Sequence, residues 1–312
     1  MKKKAIIALG GNALIKKGQK GTIYEQFANT REISNSIVKI IKDGWNIVLT
    51  HGNGPQVGAI LLQNNKTRDI LPPMPLGVCV AESQGLIGYM IQQTFSNTLK
   101  KNKINKDVVT ILTQVIVDKD DPSFKNPTKP IGPYYDKRKV AQLTEDGYTL
   151  KKIKDSYRIV VPSPDPKSIV EGDLIKKLLE DEVLVIASGG GGMPVIKKEG
   201  WGLDGVEAVV DKDLASERLA EAIDADKLVI LTNVENVYIN FLSENKKPLN
   251  KVSLDEIKKY YEKGEFPPGS MGPKILAAIR FLEAGGKEVI ISHVEKGYEA
   301  FNGKIGTRIT KG

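Results

Sequence analysis

At 312 residues, with 40% apolar and 27% charged side chains, the chain has room for one large α/β domain or two smaller ones and is neither disordered nor fibrous in composition. A single cysteine, Cys79, excludes an internal disulfide and a thiolate metal cluster, and is expected to be a small buried hydrophobe. The net charge of +8 raises nucleic acid as a partner, but the lysines are scattered among acids, as in KIIKDG and DEIKKYYEKGE, and only 6% of residues are aromatic, with no basic–aromatic interleaving to stack bases. The same surplus suits steering of a small, multiply anionic substrate.

Ala5–Leu9 is an apolar run of the kind that makes a strand buried on both faces, and it is too short for a membrane span or a signal peptide, so a cytoplasmic protein is expected. Gly10-Gly11-Asn12 follows, where missing Cβ atoms permit positive φ and let backbone N–H groups approach an anion. This loop is neither of the two best-known phosphate loops. Tyr24–Asp43 has helical spacing (Ile33, Ile37, Ile40, Ile41) and stops at Gly44. Strand 45–50 then runs into HGNGPQVG, His51–Gly58, a second glycine loop opening a helix. His51 reads as a positioned loop histidine rather than a catalytic base.

A proline-rich connector at 72–75 precedes a helix over 82–100, and Val108–Val117 is β-branched enough for one strand. From 118 to 166 the pattern breaks into prolines, glycines, tyrosines and charges, predicting an inserted subdomain that stands off the sheet. Regular alternation resumes with a helix over 169–180 and a strand over 183–187, which ends in a third glycine loop, Gly189–Gly192. Strands over 227–231, 288–292 and 306–310 and helices over 214–223, 254–263 and 275–284 complete the chain. Alternating β and α predicts one α/β domain over 1–312, a three-layer α/β/α sandwich around a mainly parallel central sheet.

ALGGNAL (8–14), THGNGPQVG (50–58), NPTKPIGPYY (126–135), ASGGGG (187–192), GVEAVVDKD (205–213), LTNVENVY (231–238) and GSMGPK (269–274) occur in this order over nearly the whole chain. Together they resemble the amino-acid kinase superfamily and, within it, the carbamate kinase family. The resemblance implies reversible phosphoryl transfer between carbamoyl phosphate and ADP, giving ATP and carbamate, with Mg2+ carried on the nucleotide, and it implies a homodimer. It places Gly10, Gly11, Asn12, Gly52, Asn53 and Gly54 on the carbamate and phosphoryl side. Lys129, Lys212 and Lys274 would neutralise the phosphoryl oxygens, and Asp213 would orient lysines. Gly189, Gly190, Asp211, Thr232, Tyr238, Phe241, Met271 and Gly272 would hold the nucleotide.

Acetylglutamate kinases and their relatives carry a lysine before the first glycine pair, as KLGG. Ala8 stands there in this chain, and the resemblance implies that Lys129 of the inserted subdomain replaces it. The alternatives are another small-acid kinase of the superfamily, which predicts KLGG, and a non-catalytic nucleotide sensor, which predicts loss of at least one of the three lysines. Both substrates are already anionic at the reacting oxygens, so no catalytic base is expected. No dedicated magnesium ligand set is legible in the sequence.

Overall fold

The computed structural model of the protein describes residues 2–16, 18–241 and 243–312, and of Asn12 only the backbone. An eight-stranded sheet runs in the order Lys251–Ser253, Thr307–Thr310, Glu288–His293, Lys227–Thr232, Lys4–Leu9, Asn46–His51, Leu184–Ile186, Val108–Thr110. All neighbours are parallel except Glu288–His293 with Thr307–Thr310. Successive residues of the middle strands point to opposite faces, and both faces are apolar. Ile6, Ala8, Val48, Leu228 and Ile230 join one core, with the helices Gly172–Glu180, Lys212–Ala222 and Met271–Glu283 packed over it. Ile7, Leu9, Leu49, Val229 and Leu231 join the other, under the helices Ile23–Lys42 and Leu76–Lys101. This is the three-layer α/β/α arrangement that the alternating pattern predicts.

Several segments depart from the sequence reading, among them the strands Met193–Lys198, Gly202–Gly205 and Lys251–Ser253. Val108–Val117 is two strands: Val108–Thr110 edges the main sheet, and Gln114–Val117 belongs to a four-stranded sheet with Pro166–Ile169, Met193–Lys198 and Gly202–Gly205. Gln84 sets the break, since its side chain accepts from Thr113 N at 2.9 Å and donates to Thr113 O at 3.1 Å. β-Branched residues favour extended backbone on either side of such a clamp and do not mark where the chain changes sheet. The long helix begins at Leu76, directly after Pro75, rather than at 82. GWGLDG, 200–205, has dinucleotide-fingerprint spacing, but it turns an antiparallel hairpin between Met193–Lys198 and Gly202–Gly205 and opens no helix.

Within 118–166, the strands Lys129–Tyr135, Ser156–Val161 and Leu150–Ile153 form a separate antiparallel sheet. Its Ile131, Ile159 and Val161 pack with Val57, Leu76, Cys79 and Val80 of the two adjoining helices. Gly58 lies so close to Gly132 that a Cβ on Gly58 would overlap the Gly132 backbone. Cys79 is fully buried in this contact, and burial pushes its thiol up to about 11, so it behaves as an inert hydrophobe. Among the described residues no helix is long and apolar enough to cross a membrane.

Candidate active site

The site forms where the central strands end. Gly10 N donates to Leu231 O at 2.9 Å and Gly52 N to Leu9 O at 3.0 Å, so the first two glycine loops start side by side. The first loop does not use positive φ. Gly10 has φ −62° and Gly11 opens a single helical turn to Leu14. What these glycines provide is closeness: a Cβ on Gly10 would sit 3.1 Å from Leu231 O, and one on Gly52 would meet Gly11 N at 3.1 Å and Lys212 Cδ at 3.4 Å. The Asn12 side chain lies outside the described residues.

The third loop is left-handed, with Ser188 at φ +48° and Gly190, Gly191 and Gly192 at +65°, +94° and +84°. Side chains on Gly189 or Gly190 would overlap His51 and Asn53 respectively. These two glycines therefore back the second loop. Asn53 is buried and donates to Ser83 Oγ at 2.9 Å. His51 is 1% exposed, with Nδ1 3.2 Å from Gly52 O. Burial, with a smaller push from Lys212, lowers it to about 4, so the imidazole is neutral at physiological pH.

Three lysines from distant parts of the chain converge on two carboxylates at the start of the Lys212–Ala222 helix. Asp211 is its N-cap and accepts from Asp213 N at 2.9 Å. Its other oxygen accepts from Lys129 Nζ at 2.5 Å, which ties the Lys129–Tyr135 strand to the head of this helix. Gly54, in the second loop, lies close to Pro130, since a Cβ there would be 3.8 Å from Pro130 O. Asp213 takes Lys212 on Oδ1 and Lys274 on Oδ2, the latter at 3.0 Å, and Lys274 also donates to Ser270 O at 3.1 Å.

Burial pushes the Asp211 carboxyl up, but Lys129, Lys274 and Lys212 outweigh it and hold Asp211 well below the usual carboxylate range. Asp213 is lowered in the same way, its desolvation overcome by Lys212 and Lys274. Burial draws Lys212 down against the pull of Asp213, whereas for Lys274 the two aspartates win and its value rises. Three cations against two anions leave an uncompensated positive charge in a water-poor site.

A cavity of about 380 Å³ opens beside this cluster, lined by Gly10, Gly11, Lys212, Lys274, Thr232, Tyr238, Phe241 and Met271. The Tyr238 and Phe241 rings lie 6.2 Å apart at 61°, and Lys246 Nζ is 4.2 Å and 4.4 Å from their centres. A lining that combines ammonium groups, glycine backbone and aromatic rings suits a phosphorylated aromatic molecule.

The amino acid kinase family profile matches residues 3–293. The chain belongs to the amino acid kinase family. The carbamate kinase of Pyrococcus horikoshii is 52% identical over 314 residues, covering 99% of this chain and 100% of that protein. A solved carbamate kinase from Giardia lamblia bound to citric acid has TM-score 0.93 at 44% identity, covering 99% of this chain and 98% of that one. The Giardia lamblia enzyme bound to AMP-PNP has TM-score 0.90 at 44% identity over the same shares. These relatives place the chain among the carbamate kinases of the family.

Not every residue expected at the nucleotide of this kinase lines the cavity. Gly189 and Gly190 pack on His51 and Asn53, Asp211 is taken by Lys129, and Gly272 N donates to Pro267 O at 3.0 Å in the turn that opens its helix. Asn233, Val234, Asn236, Phe266 and Pro267 do line it and escaped the sequence reading. Three of these lie inside LTNVENVY, whose Thr232 and Tyr238 the sequence does assign to the nucleotide and which also line the cavity. Phe266 and Pro267 precede GSMGPK, and no local pattern distinguishes them from loop residues.

Proposed function

We propose that this kinase transfers a phosphoryl group reversibly between carbamoyl phosphate and ADP, with Lys129, Lys212 and Lys274 as the cations that meet the transferring group. This reading is carried by the convergence of these three lysines on Asp211 and Asp213, with Lys212 and Lys274 also lining the cavity. Both reacting oxygens are anionic, so transfer needs alignment and charge neutralisation rather than proton removal. The aspartates hold the ammonium groups in place before substrate arrives, and backbone N–H groups of the first two loops complete the cradle. The neutral, buried His51 is no proton acceptor in this scheme.

The nucleotide fits with its phosphates at Lys212 and Lys274 and its base toward Tyr238, Phe241 and Met271. The AMP-PNP complex of the Giardia relative supports a nucleotide in this chain. Among the described residues no group of three His, Cys, Asp or Glu side chains is placed to hold a metal, and Asp211 and Asp213 are both engaged by lysines. This donor set fits Mg2+ that arrives on the nucleotide phosphates and keeps its waters. Bound there, the ion supplies further charge neutralisation.

The inserted subdomain acts as a lid that carries Lys129 in place of the lysine missing at Ala8. A cytoplasmic homodimer belongs to the same reading. The exposed Val78, Leu86 and Tyr89 of the Leu76–Lys101 helix, with Ile70, Leu71 and Met74 before it, supply an apolar surface for a second copy. Lys129→Ala tests the site assignment: ATP formation should fall about a hundredfold, about 3 kcal/mol of transition-state stabilisation, with ADP affinity nearly unchanged. A parental rate would make Lys129 a surface residue and remove the carbamate-specific half of the assignment.

A further inference from the structure

The inserted subdomain enters and leaves the body through the paired strands Gln114–Val117 and Pro166–Ile169, with Val117 opposite Pro166. One carboxylate ties the two crossings together: Asp121 accepts from Ser123 N at 2.8 Å on one oxygen and from Asp165 N at 3.0 Å on the other. Asp165 is in turn held by Arg280, whose Nη1 and Nη2 lie 2.7 Å and 3.4 Å from its two oxygens. A two-pronged contact of this kind fixes orientation as well as distance. Lys167, 3.6 Å away and half-exposed, offers only a point charge.

Arg280 lies on the Met271–Glu283 helix, six residues beyond Lys274, or about 9 Å along the axis. The neighbouring helix grips the same stem, since Arg218 Nε donates to Pro166 O at 3.1 Å six residues beyond Lys212. The two helices that bear Lys212 and Lys274 are thus the two that hold the root of the segment bearing Lys129. Near the root the contact is bidentate. At the far end Lys129 has a single ion pair with Asp211, which a phosphoryl group would compete for.

We propose that Arg280 is a positioning residue for phosphoryl transfer: by fixing Asp165 it sets where the lid is rooted, and so where Lys129 stands relative to Lys212 and Lys274. The inference rests on the lid reading of the inserted subdomain. Arg280 lines no part of the nucleotide cavity, so its loss should appear in turnover and not in nucleotide binding. The ion pair is only a quarter exposed and two-pronged, so its loss also costs stability, and the rate is compared on variants that a thermal melt shows to be folded at the assay temperature.

A double-mutant cycle with steady-state kinetics in the ATP-forming direction decides it. Arg280→Ala should lower kcat about tenfold to thirtyfold while the KM for ADP stays within about twofold, because a misplacement of about 1 Å can cost up to about a hundredfold and the docked lid limits the shift to less than that. Arg280→Lys should recover only part of the loss. In the Lys129→Ala background the same Arg280→Ala change should cost less than about twofold, since the group it positions is gone. Asp165→Asn should reproduce the pattern if Arg280→Ala folds poorly. Equal factors in both backgrounds, a raised KM at unchanged kcat, or a parental rate would each overturn the proposal. Lys129→Ala running at the parental rate would sink the lid reading itself, and that outcome is visible before any arginine is changed.

Discussion

In the central sheet the strands Lys4–Leu9 and Asn46–His51 are buried along their whole length, and their side chains fill cores on both faces. In the inserted subdomain the strands are half-buried or exposed over most of their length, and the buried Ile131, Ile159 and Val161 lean on helices outside it. The sheet holds its catalytic candidates by packing, with Lys212 8% exposed and locked beside Gly52. The subdomain holds Lys129 by docking alone. A site built this way has a packed half and a docked half, and the two should respond differently to substitution.

The largest effect is expected on the packed half. Lys274 lines the cavity and balances Asp213, so Lys274→Ala removes a cation from both the phosphoryl group and the nucleotide. Turnover should fall by at least a few hundredfold and the KM for ADP should rise, in contrast to Lys129→Ala, where ADP binding holds. Initial rates at varied ADP separate the two. Equal KM values in the two variants would erase the distinction between the halves.

A smaller effect should come from disturbing the docking without touching a charge. Gly58 and Gly132 are in backbone contact across the seam, and a methyl group on Gly58 has no room. Gly58→Ala should push the subdomain outward and lower kcat about tenfold, leaving the KM for ADP unchanged. Steady-state kinetics with a thermal melt would show it. A variant with parental kcat would mean that Lys129 finds its place without this contact.

The difference between the halves also explains what was legible in the sequence. Strand periodicity, three glycine loops and the VVDKD and GSMGPK motifs are local signals, and they located the sheet, its helices and the lysines at helix entrances. The pairing of Lys129 with Asp211, 82 positions apart, has no local signature. The motif placed Asp211 at the nucleotide, whereas the fold uses it as a helix cap and as the lysine's partner. The break at Thr113 escaped for the same reason, because the Gln84 clamp lies 29 positions away.

Glu217 tests how strictly the packed half excludes water. It lies one turn beyond Asp213, is fully buried, and neither carboxylate oxygen has a hydrogen-bond partner, while the nearest cation, Arg218 Nε, is 3.7 Å away. Burial raises its pKa from 4.5 to about 7, against the weaker pull of Arg218 and Arg280. Between those two values the folded protein keeps a proton that the unfolded chain has lost, so stability falls as pH rises through that window and levels off above it. Glu217→Gln removes this penalty and should stabilise the protein at pH 8 by about 3 kcal/mol relative to its effect at pH 4. Urea melts at the two pH values measure it, and an identical effect at both would place an ionised Glu217 in the folded core.

The smallest effect on turnover is expected at His51, the residue whose chemistry most invites a catalytic role. It sits at the end of a central strand, between the second and third glycine loops, with Lys212 nearby. Burial lowers its pKa to about 4, so it is no imidazolium acid across the working range, and the anionic carbamate asks for no base. The ring fills space against Gly189, and Asn at this position keeps a polar group near Gly52 while leaving a small void. His51→Asn should therefore lose less than about tenfold in kcat, through loop disorder, and the pH–rate profile should have no histidine limb in either protein. Its clearer signature is in stability. The unfolded chain takes up a proton near 6.5 that the folded chain resists down to about 4, so His51 costs stability progressively as pH falls through that window. His51→Asn should lack this acid sensitivity, flattening the fall in melting temperature between pH 6.5 and 4. A loss of several orders of magnitude in kcat from a variant that melts like the parent at pH 8 would instead give His51 an acid–base role, with a proton moving in the rate-limiting step of transfer.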